Sequence, residues 1–582
     1  MDLRKSVVLL LLLLPNLLWG QEKFFYPRVD SITIDYRSDN HWLDSIDAGF
    51  IGDINLRPAA GFEQLMEHNL AKNIFSNTGG LAYLFESKKV IPKFSGLPYV
   101  GFQYAFGTKV TQDLKVEYQQ FYRPQTHLHF MYNRRTSNGL LRNSGYTLND
   151  LSLLFYHQKK RYATNVDAYF GAYDYAENFG IATDTLLQDF AIEFTPINNE
   201  TAQTKVRKLD VKWDNYFRII GDSLIGTGLK TRHQYTLTNR KFEDQIFNDS
   251  LYDTLYIDTL ATRDQYQTGR ISNGAGFYFS SPYFQIDATI NHSYWRNQNL
   301  GVNRDTNELF VHSNLSATFK NKFFLGNEFY FNILGAIGEI KDYVRLDYRI
   351  VKNLDFRGKV NFENVYPDPY QRFHQANYYQ WEIDKLKMQQ KLQVSGGIKY
   401  GDTSFVQANV LWTTITNGRY FIGNQWRQDT LDVVSVGAIQ VKGAIRLKWF
   451  AFYPSITYRF GSANFAYQPV FSTMNRISFS FKLFKAKKLG MAVGTDVGYE
   501  TAYQYMAYNN VLDVYAPLQN GAKAGNMLKL NAFLALSIDQ FRFFVKAENL
   551  SSLWNDATTR IDVNYPITPM MIRIGITWDF FN

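Results

Sequence analysis

The sequence predicts an all-β fold: a single transmembrane antiparallel β-barrel of about 16 strands (range roughly 14–18), with short periplasmic turns and long external loops. Three observations lead to this prediction. Apolar and polar residues alternate over most of the 582-residue chain, 17% of the residues are aromatic, and the first residues have the pattern of an export signal.

Residues 1–20 have the pattern of a cleaved signal peptide. Arg4 and Lys5 supply the positive charge, and Val7–Leu14 form the apolar segment. That segment is too short to span a bilayer. We therefore expect export, with cleavage after Gly20.

The composition excludes several classes of protein. The chain has 47 Phe, 40 Tyr and 10 Trp, an aromatic content that argues against disorder. It has no cysteine, which excludes disulfide scaffolds, zinc–thiolate sites and thiol nucleophiles. The net charge of +9 is spread along the sequence, so we expect no nucleic-acid partner, and no motif indicates a cofactor.

Alternation with a period of two residues is clearest near the carboxyl end. Leu528–Asp539 and Phe541–Glu548 both alternate, and the polar corner between them predicts a tight hairpin at Asp539–Gln540. Apolar residues also occupy every second position of the last segment, at Ile572, Ile574, Ile576, Trp578 and Phe580.

The length of the alternating segments favours a membrane barrel over a soluble β-sandwich. Sandwich strands are usually about five or six residues long, whereas a transmembrane strand needs about nine to eleven. The barrel must close, because hydrocarbon offers no water to unpaired backbone groups. Aromatic residues near strand ends are candidates for interfacial girdles. These candidates are Tyr99, Tyr122, Tyr132, Trp213, Tyr216, Trp295, Trp449, Tyr453, Tyr458 and Trp578.

We divide the chain into three parts: a signal peptide at 1–20, an amino-terminal periplasmic segment or plug at 21–96, and the barrel at 97–582. A first pair of strands is a third alternative for 21–96. Short corners such as Gly221–Gly226 and Ala486–Lys488 alternate with long polar stretches. The longest stretches are Asn178–Gln203, Asn239–Asp264 and Asn417–Leu431. Phe362–Gln393 fits the strand pattern poorly, and its part Asp384–Leu392 is compatible with either a short helix or a strand.

The sequence resembles the putative porin family of Bacteroidetes outer membranes. The resemblance is carried by six stretches: Pro98–Ala105, Gln112–Phe121, His127–Asn133, Tyr146–Tyr162, Glu177–Ile181 and Val545–Leu550. It implies a barrel in the outer membrane of a Gram-negative bacterium and, from the family's name, passive diffusion of small hydrophilic solutes. In that location the partners would be lipid, lipopolysaccharide and the barrel-assembly machinery. Homo-oligomerisation is left open.

Three patterns that suggest other chemistry have simpler explanations. Gly221–Leu224 matches the nucleophile block of a lipase-like hydrolase family, but the matching histidine near the carboxyl end is absent, so we expect no enzyme. His127 and His129 share a strand face without an evident third metal ligand, which favours lumen lining. The acidic residues at Glu243–Asp264 lack the spacing of a calcium loop, which favours a hydrated external loop.

The sequence therefore favours a diffusion porin with a polar lumen. The predicted lining residues, assigned from the alternation, are Lys115, Glu117, Asp210, Lys212, Lys529, Arg542, Lys546, Glu548, Arg573 and Asp579. The slight positive excess suggests a mild anion preference. Open alternatives are a plugged transporter for a hydrophobic solute, a membrane enzyme and a non-conducting scaffold. A TonB-dependent receptor is disfavoured, because it needs about 22 strands plus a plug domain, for which the chain looks too short.

Overall fold

The computed structural model describes residues 98–123, 125–183, 191–221, 225–245, 251–252, 254–320, 322–429, 433–461, 468–504, 506–517, 523–554, 560–562 and 565–581. The predicted signal peptide and the segment 21–96 lie outside these residues.

The described chain forms one closed antiparallel barrel of 22 strands. With all strands numbered in chain order, the wall consists of β1 Tyr99–Gly107, β2 Thr111–Arg123, β3 Thr126–Ser137, β4 Tyr146–Lys159, β5 Tyr162–Ala176, β6 Gln203–Gly221, β7 Gly226–Gln245, β8 Ala261–Ser280, β9 Phe284–Asn299, β10 Val302–Phe319, β11 Phe323–Leu334, β12 Ile340–Val351, β13 Leu354–Val365, β16 Gln389–Gly401, β17 Phe405–Thr416, β20 Val434–Arg446, β21 Phe450–Gly461, β22 Phe471–Leu483, β23 Leu489–Glu500, β28 Met527–Ile538, β29 Phe541–Glu548 and β32 Met571–Phe581.

The first and last wall strands pair with each other and close the barrel. β1 and β32 are antiparallel in continuous register from Tyr99 opposite Phe581 to Gly107 opposite Arg573. Every wall strand therefore has two neighbours, and no strand edge is left to face lipid.

The remaining elements lie in the loops. They are the small strands β14 Phe373–Gln375, β15 Gln380–Glu382, β18 Arg419–Ile422, β19 Gln425–Gln428, β24 Tyr503–Gln504, β25 Met506–Asn509, β26 Val514–Pro517, β27 Lys523–Ala524, β30 Arg560–Asp562 and β31 Tyr565–Pro566, the helix α1 Pro369–Arg372, and 3-10 turns at Thr108–Val110, Ile192–Phe194 and Leu550–Leu553. None of the helices in the described part of the chain has the length and apolarity needed to span a bilayer.

The two rims of the barrel differ in the length of their connections. At the short-turn rim, connections such as 160–161, 352–353 and 539–540 have only a few residues. The first residue of β1 and the last residue of β32 also lie at this rim. All the long connections lie at the opposite, long-loop rim: 177–202, 246–260, 366–388, 417–433, 462–470, 501–526 and 549–570. By analogy with outer-membrane barrels, the long-loop rim faces the exterior of the cell and the short-turn rim faces the periplasm.

Alternation divides each strand between lipid and lumen. On β32, Ile572, Ile574 and Trp578 remain 43–47% exposed, whereas the intervening Arg573 and Asp579 are buried. A row of exposed apolar side chains on a closed barrel is the surface that hydrocarbon covers. The polar row therefore faces the lumen, as the sequence predicts.

The girdle candidates divide between the two faces. Trp213, Tyr458 and Trp578 are exposed on the outward face, as a girdle requires. The register places Tyr99, Tyr216, Trp295 and Tyr453 on the inward face, so the prediction is wrong for those four. Their polar tips explain the placement: the Trp295 indole N–H donates to Glu308 at 2.9 Å, and the Tyr99 hydroxyl donates to Asp579 at 2.9 Å.

The prediction of about 16 strands is wrong, because it allowed too many residues for each strand and its connection. The turn between β9 and β10 is only Leu300–Gly301, and both residues have positive φ. This is the backbone of a tight hairpin, but leucine is not a typical turn residue, so the sequence does not predict a hairpin there. Asp384–Leu392 contains no helix, and its last residues begin β16.

The two faces of β17 provide a test of orientation. Val410 is exposed on the outward face in mid-strand, and its neighbour Asn409 faces the lumen. We expect Val410→Lys to destabilise the barrel by about 2–4 kcal/mol, because it places a charge in hydrocarbon. Asn409→Lys is the matched control and should cost less than about 1 kcal/mol. Reversible unfolding by guanidinium in lipid vesicles measures both, and equal costs would contradict the assignment.

Candidate functional site

All ten predicted lining residues lie on the inward, polar face. Several form ion pairs: Arg542 with Asp579 at 3.3 Å, Arg573 with Glu548 at 2.8 Å, and Lys546 with Glu548 at 3.8 Å. On other strands, Lys115 lies 3.6 Å from Glu117, and Lys212 lies 3.8 Å from Asp210. Lys529 is buried on β28. Their role in conduction stays a prediction.

Other members of this inward charge network are not among the predicted lining residues. Arg476 on β22 forms an ion pair with Asp496 on β23 at 2.6 Å, and Asp496 also lies 3.7 Å from Lys546. Lys230, which is 1% exposed, lies 2.6 Å from Asp287. The available signal was the same alternation, but their cross-strand partners depend on a register that the sequence does not state.

The histidine pair lies on the inward face of β3, as expected, but it is not exposed to solvent. His127 and His129 are each 2% exposed, and His129 Nε2 lies 3.2 Å from a Glu117 carboxylate oxygen. The part of the chain that the structure describes contains no group of three or more histidine, aspartate or glutamate side chains able to hold a metal ion.

The acidic stretch at Glu243–Asp264 is not simply a hydrated loop. Asp244, the next-to-last residue of β7, is buried and accepts hydrogen bonds from the Asn199 amide at 2.7 Å and from the Thr201 hydroxyl at 2.6 Å. Asp264 in β8 is also buried and accepts from the backbone N–H of Asn377 at 2.8 Å. The hydrated-loop interpretation is therefore wrong for these two residues, whose carboxylates hold other loops in place. Asp222–Leu224 of the serine motif lie outside the described residues.

The long loops fold over the barrel mouth around an apolar core, which we call the cap core. Its buried members come from five connections and the end of β7: Ala202, Phe242, Tyr252, Tyr379, Trp381, Phe421, Trp426, Val511, Leu512 and Val514. Neighbouring rings pack at ordinary aromatic distances, with 5.7 Å between the centroids of Tyr379 and Phe421 and 6.0 Å between those of Phe421 and Trp426.

The cap connects strands on opposite sides of the wall. Arg240 near the end of β7 donates a hydrogen bond to the Val511 carbonyl in the loop between β23 and β28. Eleven wall strands separate β7 from β23 in one direction and nine in the other. This contact therefore crosses the mouth close to its full width.

Further hydrogen bonds hold the crossing loop. Its Asn509 side-chain amide donates to the Tyr379 hydroxyl at 2.7 Å. Asn510 donates to a Glu177 carboxylate oxygen at 2.9 Å and to the Tyr565 hydroxyl at 3.0 Å. The loop from β23 to β28 is thus joined to three other loops, which makes the cap one connected structure.

The cap interior is strongly desolvated. Burial lowers the pKa of His374 to about 3, and the positive charge of Arg240 adds to this shift. Burial also lowers the pKa of Arg419 to about 10 and raises that of the Tyr379 hydroxyl. The side-chain oxygen of Asn299 accepts a hydrogen bond from His374 Nδ1 at 2.9 Å. The neutral histidine is therefore the form that stabilises the cap.

A family model described as putative porin matches residues 95–582. No curated protein matches the sequence. Similar solved structures include the FrpB iron transporter from Neisseria meningitidis, with a TM-score of 0.57 and 9% identity over 84% of this chain and 83% of that chain. The siderophore receptor PirA from Pseudomonas aeruginosa has a TM-score of 0.53 and 8% identity over 84% and 82%. The copper transporter OprC has 0.57 and 11% over 84% and 81%. At these identities the likeness shows a shared barrel fold.

The cap core provides a test of local stability. We expect Trp381→Ala to destabilise the cap by about 3–5 kcal/mol, because it leaves a cavity among buried rings. Hydrogen exchange should then accelerate in 369–383 and 419–428 but not in the wall strands. Trp554→Ala, at an exposed loop tryptophan, is the control and should change neither. Acceleration across the whole wall would contradict a separately folded cap.

The buried histidine predicts that the cap weakens in acid. Because the pKa of His374 is depressed in the folded cap, its stabilisation is complete above about pH 6.5 and declines as the pH falls toward 3. We expect a loss of about 2 kcal/mol between pH 6.5 and 5. Hydrogen-exchange protection factors of the cap measure it. Burial raises the pKa of Asp368, which acts in the opposite sense, so the test compares wild type with His374→Gln. Identical pH profiles would disprove the histidine's role.

Proposed function

Because the chain belongs to the putative porin family, we propose that it is an outer-membrane transporter whose 22-stranded lumen is closed toward the outside by the cap and opens for particular solutes. The observation that carries this proposal is the Arg240–Val511 hydrogen bond, which joins opposite sides of the mouth. A folded cap across the mouth obstructs the route that free diffusion uses, and this favours gated passage.

The number of strands supports a gated transporter over a simple diffusion pore. Barrels of 16–18 strands leave an aqueous channel, whereas 22-stranded outer-membrane transporters have an obstructed lumen. The strand-number argument against a receptor of that size therefore fails. The similar structures named above are an iron transporter, a siderophore receptor and a copper transporter, but fold alone does not fix a solute.

The inward wall favours hydrophilic solutes. Charged side chains line β6, β12, β13, β29 and β32 on their inward faces. An apolar solute would find few apolar contacts there, and it would displace water from charges at a cost. We therefore propose a polar or charged solute, in place of the hydrophobic solute of the plugged-transporter alternative.

Crosslinking the cap tests this function. Because the sequence has no native cysteine, a thiol reagent would react only with the cysteines that are introduced. In Tyr379→Cys with Asn509→Cys, a short bismaleimide would lock two loops that hydrogen bond in the native cap. In planar bilayers we expect wild type to show rare openings, the crosslinked protein none, and Arg240→Met with Trp381→Ala frequent, long ones. The two single-cysteine variants treated with the same reagent are the controls.

Two results would contradict a cap-gated transporter. Long-lived stepwise openings in wild type that persist after crosslinking would identify a diffusion porin. A folded Arg240→Met, Trp381→Ala protein that never conducts would show that the cap is not the barrier. Removing residues 21–96 from that variant then tests the amino-terminal segment as the obstruction.

A further inference from the structure

Charged side chains on the inward face differ in exposure around the barrel. Near the closure of the barrel they are buried, with Lys546 and Arg573 only 5% and 2% exposed. On β12, β13 and β20 the inward cations Arg345, Lys359 and Lys442 are exposed. Water and solutes in the lumen therefore reach the second group but not the first.

The group of charges around these three exposed cations is strongly cationic, and its members Asp347, Asp355 and Lys399 are half-buried. It comprises six cations and two carboxylates on neighbouring strands, which we call the cationic belt: Arg345, Asp347 and Arg349 on β12, Asp355, Arg357 and Lys359 on β13, Lys399 on β16 and Lys442 on β20. These residues lie in the half of the wall nearer the short-turn rim, since β12 ends there and β13 begins there.

Two carboxylates cannot neutralise the belt. Asp347 pairs with Arg357 at 2.6 Å and also with Arg345, and Asp355 pairs with Arg349 at 2.9 Å. Among the described residues, no carboxylate lies within ion-pair distance of Lys359 or Lys442. The ammonium group of Lys399 lies 4.7 Å from the ring centroid of Phe405.

The register gives neither Lys359 nor Lys442 an opposite charge directly across from it. Arg345 lies directly opposite Lys359 in the β12–β13 pair. In the next row Asp355 lies between Arg349 and Lys399, whereas Lys442 lies between the neutral Gln407 and Ser455. Like charges directly opposite each other destabilise a sheet. A purely structural wall would gain by replacing one of them, so their arrangement indicates a ligand of opposite charge.

We propose that the cationic belt binds small anionic solutes, those bearing carboxylate or phosphate groups, on their way through the lumen. The proposal rests on the proposed transport function and adds the chemical class of the solute. Arginine forks bind carboxylate and phosphate in a bidentate manner, and the three lysines supply compact positive charges beside them. The exposed position near the short-turn rim would let a bound anion leave toward the periplasm.

A binding assay tests the belt without requiring the barrel to conduct. The probe is a trisulfonated pyrene dye, added to the detergent-solubilised full mature protein and followed by fluorescence anisotropy. The belt variant is Lys359→Gln with Lys399→Gln and Lys442→Gln. The control is Lys485→Gln with Lys487→Gln and Lys488→Gln, which removes the same charge from the turn between β22 and β23. Heat-modifiable gel migration verifies folding.

We expect wild type and the turn variant to bind the dye with similar affinity, and the belt variant to bind about tenfold more weakly. Replacing the three belt lysines with arginine should restore binding. Equal weakening in both glutamine variants would indicate general attraction to a basic protein and overturn the proposal, as would unchanged binding in the belt variant.

Reversal potentials separate this proposal from the transport function. In the cap-opened variant Arg240→Met, Trp381→Ala we expect anion selectivity, which the belt substitutions should shift toward cations. Selective dye binding in a barrel that never conducts, even after residues 21–96 are removed from the cap-opened variant, would refute transport and leave the belt standing as a binding site. If the barrel conducts but the belt substitutions change neither its ion selectivity nor its dye binding, the belt proposal is refuted and the transport function is not.

Discussion

The structure depends on the pairing of β1 with β32. In hydrocarbon, a backbone N–H or C=O without a partner costs several kcal/mol, so an open edge of about ten residues cannot persist in a membrane. The continuous register from Tyr99–Phe581 to Gly107–Arg573 removes that edge. Once the sheet is closed, each residue faces either lipid or lumen, and alternation along each strand fixes which.

How much could be read from the sequence follows from the range of each interaction. Alternation is local, so the outward row Ile572 to Phe580 and the inward position of all ten predicted lining residues followed from the sequence. The hairpin at Asp539–Gln540 was also predicted, and it is confirmed. The strand number was missed because tight turns such as Leu300–Gly301 lack the residues that usually mark them.

The cap could not be predicted, because its contacts join residues far apart in the chain. Arg240 and Val511 are 271 positions apart, and no local sequence pattern predicts that they meet. Phe362–Gln393, which fits the strand pattern poorly, contains Tyr378, Tyr379 and Trp381. Their rings in fact form part of a core assembled from several loops, and only the closed wall brings those loops together.

The wall is stabilised in lipid and the cap in water, so the free energies of opening the two differ. Opening the wall breaks backbone hydrogen bonds in lipid, where no water replaces them. Opening the cap exposes rings and hydrogen-bonding groups to water, which costs about 1.5–3 kcal/mol for each large apolar side chain and little for each hydrogen bond. The cap can therefore open while the barrel stays closed, as local unfolding units do in other proteins. Because the Arg240–Val511 contact crosses the mouth, this local step is the one that would admit a solute under the proposed function.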